Sequence, residues 1–179
     1  MIETERLRIR SWQDSDREPF AAMGRDPAIM ATLGPLMTRE QSDAAVDRML
    51  AHQAKHGFCF WALERKADAA FLGFCGLKAE AAAPHLDGEI EAGWRLRHEA
   101  WGAGYAREAA IASLAWGFAN LPHPRIIAIT TPGNVRSWGL MERLGMKRLA
   151  DGDFDHPGVP DGDPLKPHIT YAIDRPKAR

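Results

Sequence analysis

Two cysteines, two tyrosines, no apolar run long enough to span a bilayer and a net charge of only −1 are what this 179-residue chain brings in short supply. Each scarcity excludes something. Cys59 and Cys75 lie in apolar strand-like runs without metal-ligand spacing, so they read as small buried hydrophobes of a reducing compartment. A nearly balanced charge gives no reason to expect nucleic acid or an anionic membrane as partner. Glu3, Glu5 and Arg6 stand where a signal peptide needs an apolar stretch, so the chain is expected to stay where it is made, in the cytoplasm. Repeats, low-complexity tracts and interdomain linkers are missing as well, which makes residues 1–179 most simply one domain, long enough to bury a sizeable core.

What is present begins with nine residues, Trp101 to Ala109, reading Trp-Gly-Ala-Gly-Tyr-Ala-Arg-Glu-Ala. They lie between a strand-like run, Glu89 to Leu96, and an apolar-periodic segment that continues to Ala119, so the order is strand, glycine turn, helix start. Gly102 and Gly104 lack a Cβ, which lets the backbone turn tightly and a ligand approach its N–H groups. Unpaired N–H groups at the positive end of a helix suit phosphate. The stretch reads as a pyrophosphate cradle, with a plain strand-to-helix connection as the alternative. Tyr105 and Ala106 follow Gly104 where a P-loop needs Lys and then Ser or Thr, which removes the nucleotide-triphosphate signature. A dinucleotide fingerprint fits poorly too: Arg107 occupies its third small position, and Pro122, His123 and Pro124 lie where an acid should hold a ribose.

Strand and helix patterns surround the turn. Leu7, Ile9 and Ser11 alternate with Arg8, Arg10 and Trp12 as in a half-buried strand, and Asp14 to Ala22 reads as a short helix. Thr38 to Gln41 has capping-box form, helical spacing follows to about Lys55, and Gly57 stops that helix. Phe58 to Glu64 and Phe71 to Lys78 are apolar on both faces, which predicts central strands joined as an antiparallel hairpin. Ala79 to Gly88 reads as a loose connection. Beyond the turn, Ala109, Ala110, Ser113, Leu114, Gly117 and Phe118 give a helix one face of mostly small residues that can sit close on a sheet. Arg125 to Thr130 reads as a buried strand, parallel to the one before the turn through a right-handed crossover. Asn134 to about Leu144 reads as a helix, Asp151 to Pro167 as a long polar loop with four prolines, and Ile169 to Ile173 as a final strand.

The run Trp-Gly-x-Gly-Tyr-Ala-x-Glu-Ala resembles the acetyl-CoA-binding turn of the GNAT N-acetyltransferase superfamily, in the branch of the ribosomal-protein N-terminal acetyltransferases. Other stretches resemble the same branch in order: Thr4 to Arg10 its first strand, Glu91 to Leu96 its fourth, Asn134 to Ser137 with Met141 to Met146 its second cofactor segment, and His168 to Ile173 its last strand. The resemblance implies an α/β fold with a mixed sheet of about seven strands flanked by about four helices. It implies acetyl-CoA as cofactor and an amine as acceptor. Cofactor binding then falls to Trp94, Arg95 and Leu96 before the turn, to Gly102, Ala103, Gly104, Tyr105, Ala106 and Arg107 within it, and to Asn134 and Ser137. Pantetheine would pair like an extra strand where the Glu89 to Leu96 strand diverges from Arg125 to Thr130. The first two helices and their joining loop would wall the acceptor pocket, and family habit implies a homodimer. Trp101 replaces the Gln or Arg that opens the turn in the wider superfamily, which leaves a cradle with less side-chain charge.

Acetyl transfer to an amine needs a base for the ammonium, a polarised carbonyl and a proton for the leaving thiolate. Glu91 is the first candidate base. Glu89 points to the same strand face, and two carboxylates there can raise each other's pKa; two solvated strand glutamates are the plainer alternative. Backbone N–H groups around Trp94 to Leu96 would polarise the carbonyl. Many GNAT enzymes carry a Tyr acid where this chain has Met141, which cannot donate a proton; in the ribosomal-protein branch a Ser takes a comparable role, and Ser137 matches it. Tyr105 and Tyr171 are further candidate donors, with packing through the ring as the favoured alternative for each. Asp151, Asp153 and Asp155 start like a calcium loop, but His156 and Gly162 stand where its Gly and closing Glu belong, so no metal is expected. Together with Asp161 and Asp163 they either attract a cationic acceptor or form a solvated loop, and His156 and His168 are read as structural. The acceptor stays open between a peptide N-terminus and a small amine such as an amino acid, antibiotic or polyamine. A non-catalytic acyl-CoA binder is the reading from another class.

Overall fold

The computed structural model describes residues 1–79 and 83–177, so the expected loose connection from Ala79 to Gly88 falls partly outside the described residues. Among those described, the strands are β1 (Ile2–Glu3), β2 (Leu7–Arg10), β3 (Phe60–Arg65), β4 (Phe71–Lys78), β5 (Glu91–Leu96), β6 (Arg125–Thr130), β7 (Lys147–Arg148), β8 (Phe154–Asp155) and β9 (Pro167–Asp174). The helices are α1 (Arg17–Gly24), α2 (Pro27–Met30), α3 (Arg39–His56), α4 (Tyr105–Asn120) and α5 (Val135–Arg143). Strand order in the sheet is β1-β2-β3-β4-β5-β6-β9-β7, with β8 paired to β9 off that path. Every pairing is antiparallel except β5 with β6.

The mixed α/β architecture is as expected, with nine strands and five helices where about seven and four were anticipated. The strands that no sequence pattern marked, β1, β7 and β8, are two residues long, too short to show alternation in a sequence. α2 is a single turn started by Pro27 at its first position and by the Asp26 side chain, which accepts from Ala28 N–H. Local signals served better for the long helices. α3 opens on the expected capping box, with Thr38 and Gln41 exchanging side-chain-to-backbone hydrogen bonds, and ends at Gly57. The expected 151–167 loop differs in one respect: Phe154 and Asp155 pair with His168 and Pro167.

The sheet divides the molecule into two sides. Register places Lys78 opposite Glu91, Gly76 opposite Gly93 and Phe74 opposite Arg95, so these side chains share one face. There Phe74 meets Phe20 of α1, with ring centroids 6.1 Å apart. The other face carries Leu77 and Cys75 towards α4, whose Ser113 Oγ lies 3.8 Å from Cys75 Sγ. Gly117 makes this contact close: a Cβ there would sit 2.5 Å from Leu77 Cδ1 and 2.9 Å from Ile126 Cδ1, so a larger residue would force those side chains or α4 to shift. The small-residue face read from the sequence is the face that packs.

Candidate active site

A wedge opens where β5 and β6 part. Their ladder has one register pair, Glu91 with Ile127, closed by Ile127 N–H donating to the Ile90 carbonyl at 2.8 Å. On the other side of β5, Arg97 N–H donates to Leu72 O at 2.9 Å. Backbone groups alternate sides along a strand, so Gly93 and Arg95 turn theirs to β4 while Trp94 and Leu96 turn theirs into the wedge. The Leu96 carbonyl follows this rule, accepting from Trp101 Nε1 at 2.9 Å. At the end of the strand the chain turns through Gly102 and Gly104, at φ of +74° and +81°, values that L side chains rarely adopt. α4 starts at Tyr105 without a side-chain cap. Among the described residues the N–H groups of Tyr105, Ala106 and Arg107 find no protein acceptor. Open space where a Gly102 side chain would stand, together with free N–H groups at a helix start, fits a phosphate-bearing cofactor.

A brace fixes that turn. Glu108 accepts from Thr4 Oγ1 at 2.6 Å, Arg6 N–H at 2.8 Å and Arg6 Nε at 2.7 Å, while Arg6 Nη1 donates to the Ala103 carbonyl at 2.9 Å. Burial alone would raise the Glu108 pKa, but these donors outweigh it and lower it. Both the first strand motif and the Glu of the turn motif are thereby explained: they tie the N-terminal segment to the cradle.

Two cavities meet at the wedge. One, of about 860 Å³, runs along the cradle past Gly102, Gly104, Tyr105, Ala106 and Arg107; the other, of about 520 Å³, lies over Glu91. They share Thr32, Leu33, Trp94, Arg95, Asn134 and Ser137. Nearly every residue expected at the cofactor lines the first cavity. Ala103 does not, because its backbone is turned to Arg6.

Glu91 is 8% exposed, and burial raises its pKa, opposed by Lys78 and more weakly by His168. Lys78 Nζ lies 3.2 Å from Glu91 Oε2 as an ion-pair contact whose angles fall outside hydrogen bonding, so that oxygen keeps no hydrogen-bond partner. The expected mutual effect of Glu89 and Glu91 is absent. β5 begins only at Glu91, and Glu89 forms an ion pair with Arg125, whose Nε donates to it at 2.8 Å. Desolvation raises Glu91, a cause that the spacing of two glutamates could not reveal.

A family profile described as the acetyltransferase (GNAT) domain matches residues 6–147. The chain belongs to the GNAT acetyltransferases. It is 32% identical over 144 residues to the uncharacterized protein YkkB of Bacillus subtilis (strain 168), covering 80% of this chain and 83% of that protein. Among solved structures it is similar to a GNAT-family acetyltransferase from Bacillus anthracis, at TM-score 0.77 and 26% identity over 97% of this chain and 98% of that one. The spermidine N-acetyltransferase of Vibrio cholerae, solved with CoA and spermine, shares the fold at TM-score 0.73 and 16% identity, covering 96% and 97% of the two chains.

In this GNAT fold the residues around the junction of the cavities take definite places. Asn134 caps α5, its side chain accepting from Ser137 N–H at 3.3 Å. Ser137 Oγ makes no hydrogen bond among the described residues and borders both cavities. Met141 is buried and lines the cavity over Glu91. Tyr171 borders neither cavity: its hydroxyl donates to Glu142 Oε1 at 3.3 Å. Tyr105 borders only the cradle cavity, with the Arg6 guanidinium 4.5 Å over its ring. His156 and His168, read as structural, line the cavity over Glu91 with ring centroids 4.9 Å apart. Burial lowers the His156 pKa, helped by the neighbouring charges of His168, Lys78 and Lys166. No spacing rule joins these histidines to Glu91; the pairing of β8 with β9 brings them there. Arg136 was also missed, and its guanidinium stacks 4.6 Å over Trp101 beside the cradle. Among the described residues no group of three or more His, Cys, Asp or Glu could hold a metal ion, and no helix is long and apolar enough to cross a membrane.

Proposed function

We propose that this protein is a cytoplasmic acetyl-CoA-dependent N-acetyltransferase, the whole chain acting as one domain, that acetylates a primary amine by direct attack. The observation that carries the reading is the meeting of two cavities, one over a buried carboxylate and one along a glycine cradle, at Trp94, Asn134 and Ser137. Acetyl-CoA, when bound, supplies an electrophilic carbonyl and a thiolate leaving group. The free N–H groups of Tyr105, Ala106 and Arg107 hold phosphate, and Trp94 N–H, turned into the wedge, donates to a carbonyl oxygen. Glu91 takes the proton from the ammonium, a task that its raised proton affinity helps. Ser137 Oγ donates a hydrogen bond towards the departing sulfur, in place of the Tyr that Met141 replaces.

Direct attack is favoured because the alternative nucleophiles are silent. Burial pushes the thiols of Cys59 and Cys75 up to about 12, so neither offers a thiolate at neutral pH. A mere acyl-CoA binder would gain nothing from a buried carboxylate that costs stability. The branch resemblance supports a peptide amino terminus among the acceptors, beside small amines, and family habit supports a homodimer. Thiol release from acetyl-CoA with an amine panel, after calorimetry with CoA, tests the reading. Turnover that is lost in Glu91→Gln while CoA still binds is expected; CoA binding without turnover on any amine would move the protein to the binder class.

A further inference from the structure

Arg95 is a half-buried cation with a buried Nε, and the described residues provide no anion for it. It stands on β5 on the face that carries Glu91, and its guanidinium lies 5.6 Å from the Phe74 ring centroid and 5.9 Å from that of Phe20. Among the described residues Nη1 meets only Met37 Sδ, at 3.8 Å, and Nε has no hydrogen-bond partner. No carboxylate among the described residues comes within ion-pair distance of it. The buried Arg10, by contrast, is paired with Asp16 and Glu64. Burial pushes the Arg95 guanidinium down to about 10, which still leaves it charged at neutral pH. A charge taken out of water without a counter-ion costs stability that only an arriving anion returns. Arg95 also lines both cavities at their junction, so the anion's place is beside the amine site. Glu91 does not fill that need, since Lys78 is its neighbour.

We propose that the acceptor is an amine that also carries an oxyanion, a carboxylate first of all, and that Arg95 holds this oxyanion while the amine faces Glu91. The inference rests on the acetyltransferase reading above. A planar guanidinium beside two aromatic rings presents its donors as a fork that matches a carboxylate. Free amino acids and peptides with an acidic first residue both supply that chemistry. Polyamines supply only more charge of the same sign as Arg95.

The test measures kcat/KM by thiol release for amine pairs that differ only in the anion: glycine against glycinamide, β-alanine against its amide, and a peptide opening on aspartate against one opening on asparagine, with spermidine as the cationic reference. Wild type is expected to favour the anionic member of at least one pair by about 10- to 100-fold. Which pair responds separates a free amino acid from an acidic peptide. In Arg95→Gln that ratio falls towards one, and in Arg95→Lys it partly returns. The ratio is the readout because a poorly folded variant lowers both rates together. A preference for spermidine or for the amides, an unchanged ratio in Arg95→Gln, or a loss confined to CoA affinity would overturn the assignment. If no amine turns over, the acetyltransferase reading fails first. Calorimetry of N-acetylglycine against its methylamide, with CoA present, then judges Arg95 alone, and equal affinities would overturn its role.

Discussion

The two cavities are built by opposite means. The cradle is backbone: two glycines at positive φ, a helix start without a side-chain cap, and strand N–H groups turned into a wedge. The pocket over Glu91 is side chain, drawn from β3, β4, β5, α5 and the loop before β9. A backbone site needs contiguous residues and tolerates many side chains, whereas a side-chain site needs particular groups from distant segments and tolerates few. Substitutions should therefore act on the cradle through conformation and on the pocket through chemistry.

The sharpest break in that contrast is Glu91→Gln. Removing a general base is expected to lower kcat by about 10²- to 10⁴-fold, with the Kd for CoA within about twofold. Stability should move the other way. The folded pKa of Glu91 lies above its unfolded value, so the ionised form costs stability from about the unfolded pKa upward, and a neutral amide avoids that cost at pH 7. Thermal unfolding should find Tm equal or higher in the variant, at roughly 2–4 °C per kcal/mol recovered. A large Tm loss would mean that Glu91 holds the fold.

Gly104→Val breaks the other side. A Cβ there meets only Arg6 Nη2, at 3.4 Å, so the cost is the left-handed backbone and not a clash. Strain of about 1–2 kcal/mol predicts a CoA Kd weakened by up to about tenfold, with kcat at saturation little changed. Ala103→Ser, at the one turn position that does not face the cavity, should leave the Kd within about twofold.

This contrast also decides what could be read from the sequence. Gly102, Gly104 and Asn134 were legible because turn and cap chemistry is local, and Gly117 because a helix face repeats at three and four residues. Glu91 was legible as a candidate by its place on the strand entering the turn, but the cause of its raised pKa was not, since desolvation depends on what packs above β5. His156, His168 and the lack of a carboxylate beside Arg95 among the described residues were hidden. They depend on which strands pair and which partners fail to arrive, and no window of sequence contains that. Short strands such as β7 and β8 escaped for the same reason: their ladder partners, not their own pattern, make them strands.

Smaller effects probe the brace between the two regions. Glu108→Gln should cost about 1 kcal/mol, since Arg6 is partly exposed and solvent screens its share. The folded pKa of Glu108 is depressed below 4.5, so its contribution is present above that value and fades as pH falls through the folded pKa. The Tm gap between wild type and variant should accordingly be widest near neutrality and close in acid. A gap independent of pH would assign the loss to shape alone.

The smallest expected effects lie within the pocket, where neighbours tune one carboxylate. Lys78 and His168 both lower the Glu91 pKa, and Lys78 is the stronger. Losing a positive neighbour makes the carboxylate bind its proton at higher pH, so the acid limb of the kcat/KM profile should move upward in both Lys78→Met and His168→Gln. About one pH unit, or 1.36 kcal/mol, is expected for Lys78→Met, and a smaller displacement of the same sign for His168→Gln. A shift in the opposite direction would mean that the limb reports a group other than Glu91, and the base would have to be sought among the histidines that the β8 and β9 pairing brings to the same pocket.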